Sequence, residues 1–547
     1  MSKDSLIKGT IILAGAAFVA RFLGLLQRVP LQNMLGDEGM ASYGLAYNIY
    51  FLLLIVATAG IPSALSKLVS EKLALDQVEE ANRIYRAAVY FALTAGVVIT
   101  ALLYVGAPFY ATHVAEIEEA AWAIRALAPA MLLFPLIAIM RGYFQGHQQM
   151  MPGGLSQIVE QILRVVTAVV LVYLLLSWDY SLEWAAAGAS FGGVMGAAGA
   201  FAVMLFYGRR HRKKRLQQQA QMETSERAEH TPMSYRSIYK AIFRLSIPIS
   251  LISLAVPMIY FIDSSIIVPL LKGDLGMEEA KDVVGILTGR AQSLAGIPPI
   301  MAIALSMSIV PVVSSAYAKK DMAEVNRKAS QALRISVLSG LPLVLILALA
   351  ARPINGLLFT DLEGTAIMAW MTVSSMFQIL MMTSSAILMG MGLTKAPMLN
   401  VGVGIVVKLV GSYGLAPYFG IFGIIVSTMA CFIVTMLLNL MVLRKTVRYH
   451  VLGKRWPGTL LTTALLVGAG IVLERTAFAT IATDWIKLDY FLNGLITGAS
   501  LMLLYPVLMW VTKAFRPEDV QMLPARIQRL LRPVLNKLGV KQIEKGK

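Results

Sequence analysis

Apolar runs long enough to cross a bilayer, about 20 residues each, recur along nearly the whole chain. Fourteen can be read, centred near residues 19, 54, 96, 131, 165, 195, 254, 298, 340, 378, 406, 431, 466 and 501. The composition agrees, since 57% of the 547 residues are hydrophobic and only 14% are charged. A backbone in hydrocarbon must satisfy its own polar groups, so the predicted fold class is an all-α integral membrane protein with about 14 transmembrane helices. Lys3 and Lys8 precede the first run in the manner of a signal peptide. Arg21 interrupts its apolar centre and further spans follow at once, so the run is read as a retained helix.

The charges outside the runs set an expected orientation. One set of gaps holds Lys67, Lys72, Arg83 and Arg86, then the basic run at 209–215, then Lys319, Lys320, Arg327 and Lys328, then Arg444, Lys445 and Arg448. The alternate gaps hold Asp37 and Glu38, Glu116, Glu118 and Glu119, Glu278, Glu279 and Asp282, and Asp361 and Glu363. Basic loops stay in the cytoplasm, which places both termini there. The net charge of +17 then follows from topology and calls for no nucleic-acid partner.

Five basic side chains fall inside the spans: Arg21, Arg28, Arg164, Arg290 and Lys408. Each costs roughly 2.5–3.5 kcal/mol at the centre of a helix on insertion scales. Glu160 and Asp263 are the obvious buried acids. This cationic surplus points to an anion handled within the membrane, with guanidinium forks suited to phosphate oxygens. Competing readings remain. Glu160 stands one turn before Arg164, a spacing that also permits a self-neutralising pair. Arg28 is close enough to a helix end to snorkel, and Asp263 could pair with Arg290 or serve as a coupling site for Na⁺ or H⁺.

Two halves emerge on looking for repeats. Gly142 to Gly146, Pro152 and Arg164 are echoed by Gly390 to Gly392, Pro397 and Lys408. The stretch Pro62 to Ser66 followed by Asn82-Arg83 is echoed by Pro311 to Ser315 followed by Asn326-Arg327. Both echoes lie on the same side, so spans 1–6 are expected to match spans 7–12 in parallel, with a site between the halves. At 1.5 Å per residue, Arg164 and Lys408 sit about 16–18 Å from their helix starts, where they are expected to face one another. The expected organisation is a first lobe over 1–207, a basic linker over 208–239, a second lobe over 240–444, two further spans over 445–513, and an amphipathic cytoplasmic tail over 514–547. Pro248, Pro257, Pro298, Pro299 and Pro311 are helix breakers that could bend or merely kink spans 7 and 8. Gly188, Gly192, Gly193, Gly196 and Gly199 are expected to allow close helix packing.

No enzyme is expected. The single Cys431 lies in an apolar run, and the five histidines form no ligand or triad spacing. No metal and no cofactor is therefore predicted.

The segment Arg21-Phe22-Leu23-Gly24-Leu25-Leu26-Gln27-Arg28-Val29-Pro30 resembles the opening of the MurJ and SpoVB-like group within the multidrug/oligosaccharidyl-lipid/polysaccharide exporter superfamily. Arg141-Gly142-Tyr143-Phe144-Gln145-Gly146 and the stretch from Gly289-Arg290-Ala291-Gln292 to Pro311 are similar to it as well. The resemblance covers essentially the whole chain, including fourteen rather than twelve spans. It implies a flippase for a lipid-linked oligosaccharide, foremost lipid II, or for another undecaprenyl-pyrophosphate glycolipid; cell-wall synthesis proteins are the implied protein partners. It also implies that Arg21 and Arg290 line a central cavity and that spans 13 and 14 form a groove for the lipid tail. The better-known branch carries its second arginine three residues after the glycine, followed by an acid. Here Gln27 and Arg28 occupy those positions, as is similar to the branch of spore-forming and related Gram-positive bacteria. A cation or drug antiporter of the same superfamily is the alternative; it calls for acids in the cavity.

Overall fold

The computed structural model describes residues 3–58, 60–221, 233–480 and 483–514, and these are helical with short connections. The expected tail helix after residue 514 and the middle of the basic linker lie outside the described residues. The first half runs α1 (Lys3–Thr58), α2 (Ile61–Ala74), α3 (Val78–Phe109), α4 (Ala120–Leu127), α5 (Ala130–Gly146), α6 (Met151–Ser177) and α7 (Leu182–Gln221). The second half runs α8 (Tyr235–Ser253), α9 (Ala255–Leu275), α10 (Met277–Gly285), α11 (Gln292–Ala295), α12 (Pro299–Ala318), α13 (Met322–Leu349), α14 (Ala351–Leu358), α15 (Thr365–Gly390), α16 (Lys395–Phe419) and α17 (Ile421–Thr446). Two more helices, α18 (Trp456–Thr480) and α19 (Ile486–Val511), follow. A π-helical turn over Ile286–Ala291 joins α10 to α11.

Thirteen stretches among the described residues are long and apolar enough to cross a membrane, and Phe22–Ala74 counts as one of them. Its 53 residues would extend about 80 Å at 1.5 Å each, far beyond a hydrocarbon core of about 30 Å. The break is at Gly36, whose φ of 66° and ψ of −170° end the helical path; the αL side of the map is open to glycine at no steric cost. Two crossings therefore meet at Gly36, which gives the fourteen spans read from the sequence.

Packing partners repeat in the two halves. α2, α3 and α5 contact one another as α12, α13 and α15 do, and α6 lies against α7 as α16 lies against α17. Helices α18 and α19 pair with each other and dock on α13 and α14. The glycine stripe of α7 has the expected effect. A β-carbon at Gly192 or Gly196 would lie 2.7 Å from the carbonyl oxygen of Arg164 or of Glu160. The backbone of α7 thus rests directly on the turn of α6 that carries those two charged residues.

The hydrophobic core explains where the halves hold together. At the end bearing Asp37, Glu116 and Asp361, one cluster contains Leu45 of α1, Val284 of α10, Met368 of α15 and Ile424 of α17. At the opposite, basic end the core divides. Leu65, Ile84 and Tyr143 pack with Ile238 and Ile242 of α8, while Val313, Leu333 and Ile387 form a separate cluster. Burial of apolar surface is the main cohesive term, so several helices of both lobes share one core at the acidic end, while at the basic end α8 is the element of the second half that packs into the first half's cluster.

Candidate functional site

A cavity of about 440 Å³ lies between the halves, walled by α1, α5, α6, α9, α11 and the start of α12. Among the described residues its charged lining is Arg28, Arg141, Glu160 and Arg164. Glu160 accepts from both neighbours: Arg141 Nη2 donates to Oε2 at 2.9 Å and Arg164 Nη2 to Oε1 at 3.0 Å. Arg141 Nε donates to Ser156 Oγ at 2.8 Å, and Arg164 Nη2 to Tyr50 OH at 3.1 Å. Arg28 approaches from the first crossing, 5.4 Å from the Tyr47 ring centroid, and its Nη1 donates to the Thr288 carbonyl at 2.8 Å. Three guanidinium groups against one carboxylate leave an excess of positive charge on the wall.

The rest of the lining is aromatic and amide. Tyr43, Tyr47 and Tyr50 follow one face of α1, with Phe51 stacked 6.2 Å from Tyr47. Gln292 is 3% exposed, and among the described residues neither its amide nitrogen nor its oxygen meets a partner; Gln161 Oε1 and Arg164 Nε are likewise unsatisfied. A buried polar atom left in this state costs roughly 1–3 kcal/mol. The residues of this wall thus hold both unused donors, Gln292 Nε2 and Arg164 Nε, and unused acceptors, Gln292 Oε1 and Gln161 Oε1.

Arg290 lies elsewhere, at the acidic end. It is 2% exposed and held between two carboxylates: Nη2 donates to Asp37 Oδ2 at 2.6 Å and Nη1 to Asp361 Oδ1 at 2.5 Å. Gln32 Nε2 donates to Asp37 Oδ1 at 2.6 Å. A β-carbon at Gly285 would collide with the backbone oxygen of Asp37, and one at Gly289 with Gln32. Two glycines therefore let this helix seat on the break in α1. Further ion pairs join the halves here, Lys272 to Glu116 at 2.6 Å and Lys281 to Glu119 at 2.8 Å. Burial is the largest single influence on Glu119 and would raise it, but the hydrogen bond and charge of Lys281 together with a backbone hydrogen bond outweigh it and hold the carboxyl below its ordinary value. Hydrogen bonds from Arg290 hold Asp361 low as well. The acidic residues that mark topology in the sequence are also the fastenings of this end.

Lys408 departs from expectation. It is 0% exposed and sits inside the second half, 2.5 Å from Asp263 Oδ1. Its Nζ also donates to Thr428 Oγ1 at 2.8 Å and to Ser412 Oγ at 3.4 Å. It does not face Arg164, and the pairing of Asp263 with Arg290 is not formed. The partner is on α9, remote in sequence, and the small residues Gly404 and Gly411 draw α16 against α17, turning the lysine inward. Arg21 lies in α1 with its side chain outside the described residues, while Ala20 and Gly24 beside it line the cavity. Arg141 was missed among the candidate residues because it lies near a span end, although it opens one of the motifs that carry the resemblance. Among the described residues, no group of three or more His, Cys, Asp or Glu is placed to hold a metal.

The family described as polysaccharide biosynthesis protein matches residues 6–317, more than half of the chain, and the MatE family matches residues 248–413. The uncharacterized membrane protein YabM of Bacillus subtilis (strain 168) is 30% identical over 438 residues, 80% of each chain. The lipid II flippase MurJ of the same organism is 26% identical, over 85% of this chain and 87% of its own. Among solved structures, a lipid II flippase MurJ in an inward closed conformation superposes with a TM-score of 0.64 at 15% identity, covering 91% of this chain and 100% of its own. An inward-facing multidrug resistance MATE transporter gives 0.63 at 16% identity, covering 78% and 94%. The chain belongs to the polysaccharide biosynthesis protein family, is similar to MurJ and to the stage V sporulation protein B of Bacillus subtilis (strain 168), and is a multi-pass protein of the bacterial cell membrane.

Proposed function

We propose that the chain moves lipid II, or another undecaprenyl-pyrophosphate glycolipid, from the inner to the outer leaflet by alternating access. The observation that carries this reading is the excess of guanidinium charge in a cavity whose acidic end is sealed. Basic loops mark the cytoplasmic side, so the basic end, where the core divides into two clusters, faces the leaflet where such lipids are made. Arg28, Arg141 and Arg164 hold the pyrophosphate, and Arg21 is proposed as a further member on the strength of the sequence resemblance. The tyrosine face and the unpartnered amide of Gln292 meet the sugars, and the polyprenyl chain stays in lipid.

Arg290 acts on this reading as the latch of the outer seal. Incoming phosphate competes for Arg28, which now donates to Thr288 within the π-helical turn that carries Arg290. Release of that turn, with bending at the prolines of α8 and α12, opens the outer side. Outward movement of an anion is favoured by an inside-negative potential, by about 2.3 kcal/mol per charge per 100 mV. Lys408 already neutralises Asp263, which supports transport without a bound coupling ion at that carboxylate.

A cation antiporter shares the fold, but an excess of cavity arginines opposes a cationic substrate. The reading is tested by depleting the protein in a strain that has no other such transporter and measuring lipid II on each leaflet. Inner-leaflet accumulation is expected. An unchanged distribution with loss of another surface polymer would transfer the assignment to that polymer's lipid-linked precursor.

A further inference from the structure

Away from the central cavity, a second one of about 520 Å³ opens at the basic end between α3, α5 and α7. Arg86 enters it from α3, and Arg209 and Arg212 enter from α7. The last two are three residues apart, hence on one helix face. None of the three forms a hydrogen bond or ion pair with a described residue, and among the described residues no carboxylate lines the cavity. Two other basic residues at the same end are paired with acids: Arg327 lies 2.6 Å from Glu324, and Lys67 lies 3.8 Å from Glu71. Its floor is aromatic, with the Tyr85 and Tyr143 rings 4.2 Å apart.

Three like charges converging on one cleft repel one another, and the arrangement is relieved when an anion sits among them. Guanidinium forks match phosphate oxygens in both geometry and charge. The cleft also lies where the apolar span Leu182–Lys213 ends, the depth of a lipid headgroup. Phe206, 61% exposed, stands one turn before Arg209 and lines with it an adjoining hollow that could take an acyl chain. We propose that this cleft is a phosphate-binding site, distinct from the central cavity, that takes the headgroup phosphate of an anionic phospholipid at the cytoplasmic surface. A free phosphate presents the same oxygens and is the other source of the ligand.

The test is native mass spectrometry of the full-length protein in neutral detergent, titrated with phosphatidylglycerol and, separately, with inorganic phosphate. The triple variant R86Q/R209Q/R212Q is expected to bind phosphatidylglycerol at least about tenfold more weakly than wild type, since a hydrogen bond between guanidinium and phosphate is charge-assisted and strong. The variant K319Q/K320Q/R327Q removes the same charge elsewhere on the basic end and is expected to bind as wild type does. Displacement of the lipid by inorganic phosphate would identify a soluble phosphate as an equal occupant of the same site. Equal loss in both variants would overturn the proposal in favour of general surface charge, and undiminished binding in the first would overturn it outright. If the triple variant does not insert, R209Q alone is read against K319Q in the same way.

Discussion

Arg28 donates to the carbonyl oxygen of Thr288 at 2.8 Å, and Thr288 Oγ1 reaches the carbonyl of Met40 at 3.3 Å. One hydrogen-bonded chain thus runs from a cavity arginine to the turn that carries the outer latch. The charged group that would meet substrate is the group that helps hold the seal shut. Replacing Arg28 with alanine removes both roles, so transport should fall by at least about tenfold, the order expected for one charge-assisted contact to phosphate. Arg28→Lys should recover only part of it, because an ammonium cannot fork. Complementation of a depleted strain, with membrane levels of each variant measured, checks both.

The latch itself predicts a change in state rather than in binding. Asp37→Asn leaves Arg290, which is 2% exposed, with one ionised partner instead of two. The outer side should open more often. In a Cys431→Ser background carrying Gln292→Cys, modification by an impermeant thiol reagent added outside should speed up several-fold in the Asp37→Asn protein. An unchanged rate would remove the latch from the account.

Steric closure gives an independent test of the same seal. A β-carbon at Gly285 would overlap the backbone of Asp37, and backbone cannot rotate away as a side chain can. Gly285→Ala should therefore insert normally yet expose Gln292→Cys from outside. Gly106→Ala, at a glycine with nothing within 4 Å of its would-be β-carbon, should have neither effect.

The dependence on pH follows from Asp361, whose carboxyl is held below its ordinary value by Arg290. A depressed carboxylate contributes its stabilisation above its unfolded pKa and loses it as pH falls through the lower folded value. The Asp361 arm of the latch should then be indifferent to pH from about 8 to about 5 and weaken only below about 4. Outside accessibility of Gln292→Cys, probed with a reagent whose own chemistry is independent of pH, is the readout.

The pair inside the second half should matter for stability more than for transport. Removing one member of a buried ion pair costs about 3–5 kcal/mol, whereas replacing both by apolar groups of similar size is often neutral. Lys408→Ala should lower the thermal midpoint, and Lys408→Met with Asp263→Leu should restore most of it. Transport by the double variant should persist with or without Na⁺. Loss of transport in a stable double variant would return Asp263 to a coupling role.

Much of the fold was legible because hydrophobic runs and loop charge are local signals. The fourteen spans and the close packing at Gly192 and Gly196 needed no knowledge of distant contacts. The cavity was legible only in part. Arg164 and Glu160 are neighbours on one helix, so their pairing could be read from a spacing of four. The third member, Arg141, comes from the preceding crossing; it opens a motif that carries the resemblance, but no spacing along the chain ties it to Glu160. Lys408 misled for a related reason: a buried lysine with no nearby acid looks unpaired until folding brings α9 beside α16. Arg290 carries a cavity role by resemblance, yet its partners Asp37 and Asp361 read in the sequence only as loop acids. Ion pairs between distant segments are set by tertiary geometry, which one-dimensional spacing does not encode.

The central claim is that a cationic cavity carries a pyrophosphate-linked glycan across the membrane. The most direct measurement is the movement of lipid II across proteoliposomes containing the purified wild-type protein or its Arg164→Ala variant, read by enzymatic modification of the headgroup on the outer leaflet. The account predicts time-dependent exposure of inner-leaflet lipid II by the wild type under a membrane potential, negative in the compartment corresponding to the cytoplasm, and its loss in the variant. Equal rates for the wild type, the variant and protein-free liposomes would contradict it.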